Sequence, residues 1–215
     1  MAALWLNPAT CKPIGHSVAH EVGHSFQYMC YADLANPAKL NDPTELNTAP
    51  GFRGAIGAGA TFWEQTAQWQ ANQSFPNEKW NQSWSIFPIT ANYAMTHEWM
   101  RYQSFWWHYY LAERYGIDII GRLWRHPTGK ALQDPNQTLM SLLGIDSNEL
   151  YRLYFDYAMK MATFDLDIDN IRTEGQSRIG SYTYNAVPLA NNKYQVAYSS
   201  CPQSTGFNII PPQRA

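Results

Sequence analysis

Apolar residues three and four positions apart mark out helices along most of this chain. Val18, Val22, Phe26 and Met29 carry one such stripe from Ser17 to Cys30, which predicts a helix with that stripe turned into a core. "TFWEQTAQWQANQ", residues 61–73, predicts a second helix. "THEWMRYQSFWWHYYLAERYG", residues 96–116, predicts a long third one ended by Gly116 as its cap. "IDIIGRLWRH" and "QTLMSLLG" read as shorter helices. "DSNELYRLYFDYAMKMATF" opens on Asp146 with Glu149 three residues on, a helix start signal, and Leu150, Leu153, Tyr157 and Met161 form its apolar face.

Between these elements the pattern breaks. "ALWL" near the start reads as a strand, and residues 31–60 read as a long loop with Pro37, Pro43, Pro50 and the glycine-rich "GFRGAIGAGA". Loops of that length inside a domain are uncommon and usually functional. A second loop runs from Ser74 to about Asn92. From about Asp165 onward, alternating β-branched and aromatic residues broken by Pro, Gly and Asn read as short strands. The expected fold class is therefore mainly α (α+β). A helical body fills residues 1–165, and residues 166–215 form a β-rich segment, the start of a second β unit.

Composition narrows the function classes. A chain of 215 residues with 45% hydrophobic content can bury one sizeable core. Charged residues are only 15% and the net charge is −2, so no basic stripe points to nucleic acid. No apolar run reaches the ~20 residues that span a bilayer. "MAALWLNPATCKP" lacks the basic start and apolar centre of a signal peptide, which leaves the compartment open. Cys11, Cys30 and Cys201 form no C-x-x-C pair, and one bridge, Cys11 to Cys30, is compatible with export. Nine Trp and fourteen Tyr suit a peptide- or glycan-binding surface, although they also fill cores.

The chemistry lies in "HEVGH", residues 20–24. Residues four apart share a helix face, so His20 and His24 can reach one ion. Glu21, rotated about 100° from His20, stays off the ion but beside its open position. There it can act as general base on a zinc-bound water and return the proton to the leaving amine. Two histidines need a third protein ligand. His16 sits one turn earlier, but Pro13 and Gly15 put it at the helix start, which suits a capping or supporting role. Cys30 stands where the H-E-x-x-H-x-x-G-x-x-H class has its third histidine, but that class needs glycine where this chain has Gln27. Glu64, in the aromatic setting of "TFWEQTAQW", fits best, because a carboxylate there is costly to bury without a cation.

H-E-x-x-H followed by a distant glutamate on another helix resembles the gluzincin branch of zinc metallopeptidases. "HEVGHSFQY", "FWEQTAQWQANQ" and "FWWHYYLAERYG" further resemble an uncharacterised family of mostly secreted, metallopeptidase-like proteins known as a domain of unknown function. The resemblance implies a zincin-like catalytic domain over residues 1–165, one Zn2+ per chain on His20, His24 and Glu64, and Glu21 as base. It implies a peptide, protein or glycoprotein substrate and a secreted or cell-surface location. Where thermolysin-like members place an aspartate four residues after the glutamate ligand, this chain has Gln68. Such enzymes also need a donor for the oxyanion, and His97 and Tyr102 are the candidates; His108 reads as a core histidine. Only nineteen residues precede His20, so a fragment or an unusually small sheet is expected. Other readings are a zinc hydrolase or lyase acting on glycans or esters, and a binding module with a non-catalytic metal.

Overall fold

A computed structural model of the chain describes residues 6, 7, 9, 11–34, 52, 57–78, 81–126, 133–167, 169–178, 180–191 and 193–210. Helix α1, Ile14–Leu34, and helix α2, Gly57–Ser74, form the most extensive helix pair among them. The face of α1 turned toward α2 is its polar one: His16, His20, Gly23 and Gln27 are buried. The predicted core stripe points the other way, with Phe26 58% and Met29 60% exposed and Val22 also open. Apolar periodicity located the helix and misassigned its buried side. The reason is that α2 and its flank supply partners for polar groups on α1, including a Glu78 carboxylate that accepts the His16 N–H at 2.8 Å and so caps the helix start.

Gly23 allows the two helices to meet closely. A Cβ there would stand 2.5 Å from Gln70 Oε1 and 3.4 Å from the Cα of Ala67. Ala67 and Ala71 on the facing side of α2 are fully buried.

Both predicted loops shrink. Tyr31–Leu34 continue α1 and Gly57–Ala60 begin α2. The rest of that segment lies outside the described residues, apart from Phe52, which is buried with its carbonyl accepting the Trp63 indole N–H at 2.8 Å. The loop after Ser74 contains α3, Asn81–Thr90, which carries Pro88 inside it, so one i→i−4 hydrogen bond of this short helix is missing.

The predicted long helix over 96–116 is broken in two. A 3₁₀ turn, Glu98–Met100, starts where His97 caps the chain, and α4, Trp106–Tyr115, begins six residues later. Buried Gln65 of α2 donates to Met95 O at 2.7 Å and to Met100 O at 3.4 Å, and it also contacts Ser104. Those contacts hold the two pieces apart in the register that α2 requires. Gly116, at φ 94°, ends α4 as expected.

Helices α5, Ile119–Arg125, α6, Pro135–Leu143, and α7, Ser147–Thr163, follow the predicted pattern. Asp146 and Glu149 form the reciprocal capping box, and Leu150, Leu153, Tyr157 and Met161 are buried. The C-terminal part holds helix α8, Asp169–Ser177, which alternation did not reveal, before a two-stranded antiparallel hairpin. Its strands are β1, Ala186–Pro188, and β2, Tyr194–Val196, paired through Ala186↔Val196. Phe207 N–H donates to Ala91 O at 2.8 Å, and the Phe207 ring meets Phe87 and Tyr157, which ties this segment to the helices. The fold is thus mainly helical with a small sheet near the C-terminal end. Residues 3–5 of the predicted first strand lie outside the described residues, and the three cysteines are free thiols, so the Cys11–Cys30 bridge does not form.

Candidate metal centre

Helix α1 supplies His20, Glu21 and His24, and α2 supplies Glu64. His20 Nε2 and His24 Nε2 are 3.1 Å apart, and Glu64 Oε2 lies 3.1 Å from the first and 3.4 Å from the second. These three atoms form a nearly equilateral triangle. Ligand bonds of about 2.0–2.1 Å at tetrahedral angles place donor atoms ~3.3 Å apart, so the triangle has the size that zinc requires.

The tautomers agree with that reading. Gln27 donates its Nε2 to Trp63 O at 2.9 Å, which fixes its amide and turns Oε1 toward His24 Nδ1 at 2.8 Å. His24 Nδ1 is therefore the protonated nitrogen, and its Nε2 lone pair faces Glu64 in the neutral ring. His20 Nδ1 makes the equivalent contact with Gln68 Oε1 at 2.7 Å. Two imidazole lone pairs and a carboxylate thus converge on one point, which calls for a positive charge there.

The titration behaviour reflects the same convergence. Burial pulls the His24 pKa down, but hydrogen bonds with Glu64 and Gln27 and the charges of Glu64 and Glu21 outweigh it and raise it above the usual value. Burial would raise Glu64, yet hydrogen bonds from His20 and His24 prevail and bring it down to about 2.

Glu21 holds a carboxylate oxygen within 4.8 Å of a ring nitrogen of each histidine. Glu64 Oε2 stands 3.1 and 3.4 Å from the Nε2 atoms of the same two histidines, so two carboxylates border one pair of imidazoles. Tyr102 completes the ring of groups. Its ring lies 6.0 Å from that of His20, and its hydroxyl hydrogen-bonds to Glu64. Burial, the charge of Glu64 and that hydrogen bond push the phenol up to about 12, so it stays a proton donor.

A family model for proteins of unknown function matches residues 1–213. The chain belongs to the DUF6055 family. No curated protein and no solved structure matches it. This membership agrees with the resemblance to an uncharacterised domain and assigns no peptidase class to DUF6055 chains.

Within this DUF6055 chain the other sequence candidates separate. His97 accepts the Trp99 N–H on Nδ1 at 3.1 Å and stacks on Tyr93 at 4.3 Å, a capping arrangement. His16 lies at the helix start, as the third residue of α1, and is 3% exposed with an unpartnered Nε2. Burial, then the charge of His20, lower its pKa to about 4. Cys30 lines a cavity with Phe26 and Trp69. His108 is fully buried with Nε2 3.1 Å from Thr66 Oγ1, but its Nδ1 has no partner, so the expected core histidine is half satisfied. Sequence reasoning missed Gln27, reading it only as the residue that excludes one peptidase class. Its position three residues after His24, on the same helix face, was the available signal.

Proposed function

We propose that this DUF6055 protein is a zinc-dependent metallopeptidase that hydrolyses peptide bonds. His20, His24 and Glu64 are its metal ligands, with one Zn2+ per chain. The observation that carries the reading is the triangle of His20 Nε2, His24 Nε2 and Glu64 Oε2, with amide oxygens taking the far nitrogen of each ring. When bound, the ion supplies Lewis acidity toward a carbonyl and toward water.

The protein's own groups do the rest. Glu21 takes a proton from the attacking water on its carboxylate and hands it to the departing amine nitrogen. Tyr102 donates its hydroxyl to the developing oxyanion, a task for which a neutral phenol near the ligands is suited. Gln27 and Gln68 hold the imidazoles so that both Nε2 lone pairs stay aimed inward. The glutamine in place of a charged partner leaves the ligand rings less basic, which favours a more electrophilic ion at some expense of affinity.

Glu21→Gln tests the reading. Zinc measured by elemental analysis should remain near one per chain while cleavage of a proteome-derived peptide library disappears. Retained cleavage in that variant would remove Glu21 as base, and absence of zinc in the wild-type protein after refolding with Zn2+ would remove the metal reading.

A further inference from the structure

The apolar stripe of α1 that fails to enter the core has another destination. Phe26 and Met29 open onto a cavity of about 870 Å³ bounded by α1, α2 and α5, where Trp69 and Trp124 form the aromatic wall. Phe26 is 58% and Met29 60% exposed, and both line this half-open, largely apolar concavity. Exposed apolar residues grouped around a concavity mark binding surfaces more often than structural defects. The volume falls in the ~300–1,000 Å³ range of sites for small ligands.

The polar groups on this cavity are unequal in charge. Arg122 and Arg125 line it from α5, and His126 stands at the end of that helix. Asp118 is the one acid among the described lining residues. His126 Nε2 is already engaged with Ser141 Oγ at 2.9 Å, whereas neither arginine has an ion pair among the described residues. Two guanidinium groups against one carboxylate leave a net positive rim around aromatic and aliphatic walls.

We infer that this cavity binds an amphiphilic carboxylate, a molecule with an apolar chain or ring ending in a single carboxylate. The apolar part occupies the space beside Phe26, Met29, Trp69 and Trp124, and the carboxylate meets the guanidinium forks of Arg122 and Arg125. Arginine presents parallel N–H donors that match a carboxylate in a bidentate way. A neutral apolar ligand would leave the rim charge uncompensated, and a polyanion without an apolar part would leave the aromatic wall against water. The same chemistry occurs in a fatty acid and in the C-terminal residue of a peptide with an apolar side chain. The inference requires no metal and stands apart from the proposed peptidase activity.

Calorimetric titration of the full chain with decanoate, N-acetyl-tryptophan and decan-1-ol, all below aggregation limits, tests it. At low salt a carboxylate ligand should bind at least tenfold more tightly than decan-1-ol, and 0.5 M salt should reduce that preference. The double variant Arg122→Gln/Arg125→Gln alters two exposed side chains, so its far-UV circular dichroism should match the wild type. In it the preference of acid over alcohol should vanish. Phe26→Asp should weaken binding of every ligand. Decanoate binding alone identifies a fatty-acid site, and N-acetyl-tryptophan binding alone identifies a peptide C-terminus site; either supports the inference. Equal binding of acid and alcohol, no binding of any of the three, or a preference that survives in the double variant would overturn it.

Discussion

Gln27 is clamped between two helices so that it can accept only one thing from His24. Its amide nitrogen is held by Trp63 O of α2 at 2.9 Å, and its oxygen faces His24 Nδ1 at 2.8 Å. The backbone of α2 thereby dictates the tautomer of His24, a proposed metal ligand on α1. Gln27→Leu should lower zinc affinity by about 10–100-fold, the range for removing a partner that orients a metal-bound histidine. Gln27→Glu restores an acceptor of greater basicity and should recover or exceed wild-type affinity. Competition against a fluorescent zinc chelator measures both; unchanged affinity in the leucine variant would mean that Gln27 only fills space.

Tyr102 and His97 make opposite predictions. Tyr102 hydrogen-bonds to Glu64 beside the histidines, whereas His97 caps a turn and stacks on Tyr93. Tyr102→Phe should reduce kcat on a cleaved peptide by about 10²–10³, the effect of removing one oxyanion donor, with zinc content unchanged. His97→Ala should change kcat less than about twofold and lower stability by ~0.5–2 kcal/mol through the lost cap. The reverse order would exchange their roles.

The parts of this molecule that could be read from sequence share a feature: one local pattern decided them. The spacing of His20 and His24 fixes their common face in any helix, and the Asp146–Glu149 box and Gly116 mark helix ends through backbone chemistry. Glu64 was legible as a carboxylate too expensive to leave unpaired among aromatics. What was not legible depended on a second element. The inward face of α1 is decided by Gln68, Glu64 and Glu78, all on or beyond a different helix, so the apolar stripe pointed the wrong way. The break in the predicted 96–116 helix follows from Gln65 reaching across from α2. Gln27 was visible as a residue but not as an anchor, because its partner is a backbone carbonyl on another helix.

Under the proposed metal reading, a proton and the ion compete for His24. Its pKa is raised, so at falling pH the proton claims the ring earlier than in an ordinary histidine. Zinc affinity should therefore decline already as pH drops toward 6.5 from above, by about tenfold per pH unit for each proton that binding must release. In Glu64→Gln the hydrogen bond and charge that favour the protonated ring are gone, and the same variant loses a ligand. Affinity should be at least 10-fold weaker at pH 7.5, with the onset of the pH-dependent loss shifted to lower pH. Chelator competition between pH 5.5 and 8 gives both numbers; a wild-type affinity that stays flat over that range would contradict the arrangement.

His108 gives the fold its own acid sensitivity. It is fully buried against Phe62 at 5.2 Å between ring centres, and burial lowers its pKa from 6.5 to about 3. The folded protein keeps this ring neutral, while the unfolded chain protonates it at about 6.5. Its contribution is therefore complete above pH 6.5 and is lost progressively as pH falls from 6.5 toward 3. Between pH 7.5 and 5 the unfolded state gains the proton and the folded state does not, which amounts to roughly 2 kcal/mol at ~1.4 kcal/mol per pH unit. His108→Gln retains a partner for Thr66 but cannot titrate. Urea unfolding of the metal-free protein at the two pH values should show a wild-type loss larger than the variant's by about that amount. Equal losses in the two proteins would mean that His108 is protonated in the fold or reaches water.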